Sequence, residues 1–220
     1  MTITYPDFHS EYERTLRELE QLGRTTEAAE LRRLGYQVFL SDPHAALPRG
    51  VYFCGLKPYG SPGKSYPAGV ELPPGYSGYR DGTARYPFYA RARMVIRRAL
   101  DSIFEEDIPL EAALCTNWFF YRAADTAQLK RFGLEQIDCS DHHRAFVEEL
   151  SPRLIVCAGN GAISSYAGFT KLFDLETTRT VPVGGNIKVK IATSNDFRII
   201  GFPHFSRYPV SEEILHQCGL

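Results

Sequence analysis

VYFCGLKPYGSPG, residues 51–63, opens with a short apolar run and then breaks into glycine and proline. Such a run reads as a strand buried on both faces, and Gly55, Pro58, Pro62 and Gly63 end it in a tight, backbone-rich loop. Taken alone, these residues could make nothing more than a turn. Three similar runs follow: AALCTN (112–117), RLIVCAG (153–159) and RIIGFPHFS (198–206). Helical patterns separate or follow them, at about Tyr86 to Phe104, at HHRAFVEEL (142–150), after Asn160 to Ser164, and at SEEILHQC (211–218). Strands alternating with helices predict an α/β fold: a single domain over residues 1–220, with a central, mostly parallel sheet and helices on both faces.

Outward from this frame, residues 8–35 carry Leu16, Leu19 and Leu22 at helical spacing, with Glu and Arg on the other faces. They predict two amphipathic helices separated near Gly23 to Thr25, so that residues 1–40 form an N-terminal helical segment packed on the domain. VPVGGNIKVKIATSN (181–195) has the turn and alternation of a hairpin. The Pro-, Gly- and Tyr-rich stretch from Ser61 to Pro87 lacks periodicity and is expected to be a functional loop or lid.

The bulk composition narrows the function classes. At 220 residues and 44% hydrophobic, the chain can bury a sizeable core, and no window reaches the roughly 18 to 20 apolar residues of a spanning helix. The opening residues show no secretory signal. Five scattered cysteines without a CxxC pair favour a reducing cytoplasm and give zinc or iron–sulfur sites no support. The expectation is a cytoplasmic protein with no cofactor, no metal and no membrane attachment. A net charge of −1 tells against non-specific coating of nucleic acid. Arg91, Arg93, Arg97 and Arg98, clustered on one expected helix, read equally as a solvated face or a phosphate-binding one.

In open α/β sheets, ligands bind beyond the carboxyl ends of the strands. The residues found there are Gly55 to Tyr59, then Asn117-Trp118-Phe119, Gly159-Asn160-Gly161, and His204-Phe205-Ser206. An amide, an imidazole, aromatics and a lysine suit a planar heterocycle hydrogen-bonded at its edge and a phosphate held by backbone N–H groups.

The order and types of these four elements resemble the uracil-DNA glycosylase superfamily. Its best-known branch has a first motif GQDPYHGPG, and this chain reads GLKPYGSPG. A strand ending in Asn117, the apolar run LIVCAG with its glycine before a helix, and HFSRY in the place of the family's HPSP loop follow in family order. The resemblance implies a base-excision DNA-repair glycosylase that flips uracil or another deaminated base out of DNA. Asn117 would then read the base edge, and His204 would stabilise charge on the base oxygen. Tyr59 would wall the pocket, with Phe119 or Tyr66 as the stacking ring. Ser206 would hold a backbone phosphate, and Tyr208 would stand in the wedge position. Gly55, Pro58, Gly63 and Arg207 complete the expected DNA-contacting set. The partner implied is DNA, damaged or single-stranded, or a nucleotide.

Lys57 departs from the family, which has Asp or Asn there to position water. An ammonium has three donors and no acceptor, and its charge would oppose a sugar cation. It could bind an anion, act as a desolvated Schiff-base nucleophile, or be structural. Phe205 and Arg207 replace the two prolines of HPSP. The alternatives are therefore an inactive base- or nucleotide-binding module of the same fold, or a small-molecule nucleoside hydrolase. Asn117 could instead cap a helix beginning at WFFYR, and His204 could be a core histidine. Asp138, Cys139, Asp141, His142 and His143 are too crowded along the chain to converge on one metal, and Ser140 or Asp141 reads better as a helix cap.

Overall fold

The computed structural model describes residues 7–61, 63–69, 72–81, 87–134 and 139–220. In it, β1 (Val51–Gly55) is buried along its whole length. Side chains alternate across a strand, so β1 divides its residues between two cores. Val51 and Phe53 face one, and Tyr52 and Cys54 face the other. Neighbouring strands do the same. β2 (Leu114–Asn117) sends Leu114 and Cys115 to opposite sides, and β3 (Leu154–Ala158) sends Ile155 and Val156 to opposite sides.

The remaining strands are β4 (Arg179–Gly184), β5 (Ile187–Thr193) and β6 (Arg198–Phe202). They complete a six-stranded sheet of order β2-β1-β3-β6-β5-β4. β2, β1, β3 and β6 are parallel, and the β4–β5 hairpin continues the sheet antiparallel to β6. The chain winds outward from β1 in both directions, to β2 on one side and to β3 and β6 on the other. The ends of β1 and β3 therefore flank the switch point where open α/β sheets leave a crevice.

Both faces carry helices. On the Tyr52 side lie α1 (Phe8–Gln21), α2 (Thr25–Leu34) and, later in the chain, α5 (Thr126–Phe132), α6 (Ser140–Leu150) and α7 (Ser165–Leu172). On the Val51 side lie α3 (Gly78–Asp81), α4 (Pro87–Asp101) and α8 (Glu212–Gln217). Asp7, Asp125, Ser164 and Ser211 cap α1, α5, α7 and α8 with side-chain oxygens that accept backbone N–H groups. In the N-terminal helices, Phe8, Tyr12 and Leu16 join Tyr36 and Tyr121 in one core.

Several expectations are corrected or sharpened. No helix begins at WFFYR. After a bend at Trp118 and Phe119, Tyr121 bridges Tyr36 and Ala123 bridges Tyr59, because this segment is zipped to the loop after β1. The four arginines of α4 are engaged within the molecule. Arg91 donates to the Phe205 carbonyl, Arg93 to the Tyr79 carbonyl, Arg97 to Asp107 and Arg98 to Glu212. Each arginine thus ties α4 to another segment. His142 meets Glu11 at 3.0 Å, and His143 lies wholly buried between the Tyr52 hydroxyl and the Trp118 carbonyl. Of the loop expected over 61–87, positions 62, 70, 71 and 82–86 lie outside the described residues, as does Asp138. No helix among the described residues is long and apolar enough to cross a membrane.

Candidate active site

The loop after β1 and the segment after β2 run side by side beyond the sheet. Trp118 N–H donates to the Gly55 carbonyl at 3.0 Å, and Phe119 N–H to Leu56 at 2.9 Å. Further out, Ala123 N–H donates to Pro58 at 3.3 Å, and Gly60 N–H donates back to Ala123 at 3.2 Å. This pairing places Asn117, the last residue of β2, directly against Gly55, its register partner. A Cβ on Gly55 would lie 2.4 Å from Asn117 Oδ1, so only glycine leaves room for the amide. Asn117 is 4% exposed, and its Nδ2 has no hydrogen-bond partner among the described residues. A buried donor left unpaired costs about 1–3 kcal/mol. An acceptor brought by a ligand would remove that cost.

The segment is held from behind by an aromatic and polar stack. Trp118 lies parallel to the His143 ring, 4.5 Å between centroids and 5° between planes. His143 Nε2 donates to the Trp118 carbonyl at 2.9 Å, which leaves Nδ1 to accept from the Tyr52 hydroxyl at 2.6 Å. Gly168 of α7 lets the helix approach the indole, since a Cβ there would sit 2.3 Å from it.

Lys57 bends back along this frame. Its ammonium donates to the Ala123 carbonyl and lies 5.9 Å from the centre of the Tyr59 ring. Burial lowers its pKa to about 8, against the pull of Asp125, which favours the charged form.

His204 follows β6. Phe205, fully buried among Phe53, Phe88 and Phe202, pins the loop from below, and Arg91 holds its carbonyl. His204 itself is exposed at one edge, while the Phe88 ring lies 5.5 Å away on another. Its Nδ1 accepts from Ser206 N–H at 3.3 Å, so the neutral ring carries its proton on Nε2. Loss of water, then the charges of Arg207 and Lys57, hold its pKa below the usual histidine value. The residue is therefore a neutral N–H donor in the physiological range.

The other predicted residues are distributed unevenly. Gly55 and Pro58 are buried in the zipped frame, while Gly63 is exposed with φ +74°, a backbone glycine favours. Tyr59 is 59% exposed, and Phe119 is a core residue at 5%. Tyr66 is half-buried; its hydroxyl accepts from Ser61 N–H at 3.0 Å and its ring is covered by the Arg122 guanidinium at 4.8 Å. Ser206 and Arg207 are exposed, and Tyr208 is half-buried. Asn160 is not free for a ligand, since its Nδ2 donates to the carbonyls of Lys188 and Gly201, both at 2.7 Å.

Sequence reasoning missed Arg122. It is 8% exposed, donates to the Tyr59 carbonyl and Gln37, and leaves Nε unpartnered among the described residues. A charged residue inside the aromatic run WFFYR was the available clue. With Arg122 included, a pattern emerges at the site face. The described parts of the loops after β1, β2, β3 and β6 hold the cations Lys57, Lys64, Arg122 and Arg207, against Asp125 as the carboxylate.

No protein-family model matches the chain, and comparison with curated proteins finds no match.

Proposed function

We propose that the protein is a base-excision glycosylase acting on uracil or another deaminated base in DNA. The observation that carries this reading is the Asn117 amide, buried at a strand end against a glycine and left with an unpaired donor. An amide in that state matches the edge of a flipped base, whose carbonyl would accept from Nδ2. His204 then donates from Nε2 to a base oxygen as negative charge develops on it during cleavage of the bond to the sugar. A neutral donor suits this role, because it stabilises the leaving base without itself having to lose a charge.

Cationic groups at the strand ends support a polyanion over a free nucleoside, since they gather where the whole chain has a charge of only −1. Lys57 supports the alternative of a binding module without hydrolysis, because an amine hydrogen-bonded to the Ala123 carbonyl does not replace a carboxylate that orients water.

Base release from oligonucleotides containing uracil or hypoxanthine separates the two. For a glycosylase, the wild type releases base, and Asn117→Ala and His204→Ala lose at least about a hundredfold in rate, within the range for removing a transition-state hydrogen bond. Binding without release by the wild type, with release gained in Lys57→Asp, establishes the binding module. Absence of both binding and release rejects the reading of the site as a base pocket.

A further inference from the structure

Hydrolysis of a glycosidic bond leaves Lys57 without a task. Its Nζ is held by the Ala123 carbonyl on the zipped frame beside Asn117, and it forms no salt bridge with a carboxylate among the described residues. The charged group that acts on it is Asp125, which favours the ammonium, and Lys57 in turn disfavours protonation of His204. Held by one neutral acceptor and partly stripped of water, this amine is poised to act as a nucleophile.

We infer that Lys57 is an imine-forming residue whose substrate class is the ring-opened aldehyde of an abasic deoxyribose in DNA. The inference rests on the reading of the site as a DNA base pocket, because the abasic sugar is what base removal leaves there. The Nζ lone pair attacks the aldehyde carbon, forming the N–C1′ bond, and the carbonyl oxygen departs as water with the protons it gains from the amine and solvent. In the resulting iminium, loss of the C2′ proton to water expels the 3′-phosphate as the C3′–O bond breaks. No oxidant or reductant is consumed. With a pKa of about 8 in place of 10.5, the neutral amine near pH 7 is on the order of a hundred times more abundant than in an ordinary lysine.

The test uses a preformed abasic oligonucleotide, so that no glycosylase step is needed, and a tetrahydrofuran analogue that lacks the aldehyde. Borohydride reduction in the presence of the wild-type protein is expected to give a covalent adduct on the abasic strand alone, mapped by peptide mass spectrometry to Lys57. The yield falls at least tenfold in Lys57→Arg and Lys57→Ala. An absent adduct, one mapped to another amine, or one undiminished in folded variants overturns the proposal. Mapping on the wild type decides the matter even if a variant fails to fold. Base release from uracil DNA, measured in parallel, keeps the two readings apart. Release without trapping removes the imine role alone, and trapping without release removes the glycosylase alone.

Discussion

Asn117 and Gly55 form a pair in which the smaller residue decides what the larger can do. Removing the amide in Asn117→Ala takes away a buried donor with no partner, so stability should be unchanged or rise by up to about 1 kcal/mol in urea denaturation while base release is lost. Gly55→Ala acts in the opposite sense. Its methyl would collide with Asn117 Oδ1, and overpacking of this kind costs about 1–3 kcal/mol. Lys57 gives a pH signature. Its folded pKa of about 8 is below the unfolded value near 10.5, so between these values the unfolded chain binds more protons and stability rises with pH. Lys57→Met should therefore be more stable than wild type by about 1–2 kcal/mol at pH 7, with the gain shrinking as pH rises from 8 to 10.5. A constant difference across that range in paired denaturation curves would show that the lysine is not desolvated. Glycine and asparagine at the ends of apolar runs made the strand-end positions of the candidate site legible in the sequence. The state of Lys57 was not, because its partner lies 66 positions away and burial of a side chain is a property of the packed fold.

The elements were readable wherever one period dominated. β1, buried on both faces, and α1, with its leucine stripe, follow the sequence pattern closely. The WFFYR segment did not, since aromatic residues fit helix, strand or wall alike and the decisive hydrogen bonds come from the loop after β1. α4 makes the same point: four arginines on one helix look like a surface, yet each is taken by a partner on another segment. α7 carries a sharper constraint. Gly168→Ala should gain up to about 1 kcal/mol from helix propensity alone. The methyl would however lie 2.3 Å from the Trp118 indole, and overpacking exceeds the propensity gain. A net loss of about 1–2 kcal/mol is expected, with altered emission from Trp118, the single tryptophan of the chain.

Across the whole molecule, the net charge is only −1. Composition indicated weak general attraction to nucleic acid, and the described loops at the ends of the parallel strands carry Lys57, Lys64, Arg122 and Arg207. Binding to an oligonucleotide should accordingly fall with salt along a shallow log–log slope of about −2 to −3, as expected for about three neutralised phosphates. Arg207→Ala should reduce the magnitude of that slope by about 1, measured by fluorescence anisotropy across a salt series. A slope indifferent to Arg207 would place the phosphates elsewhere.

The cysteines offer a practical handle on these questions. All five are buried, and burial raises the pKa of the Cys54, Cys115, Cys157 and Cys218 thiols, so that alkylating reagents find little thiolate in the folded protein. The exposed tip between β4 and β5 lies on the same side of the sheet as His204, because Lys190 pairs with Gly201 and β5 runs antiparallel to β6. A cysteine introduced there by Asn186→Cys would become the dominant site of labelling. It would carry one dye or spin probe at the same end of the sheet as His204, where binding of an added oligonucleotide can be tested in a chain whose own cysteines stay silent.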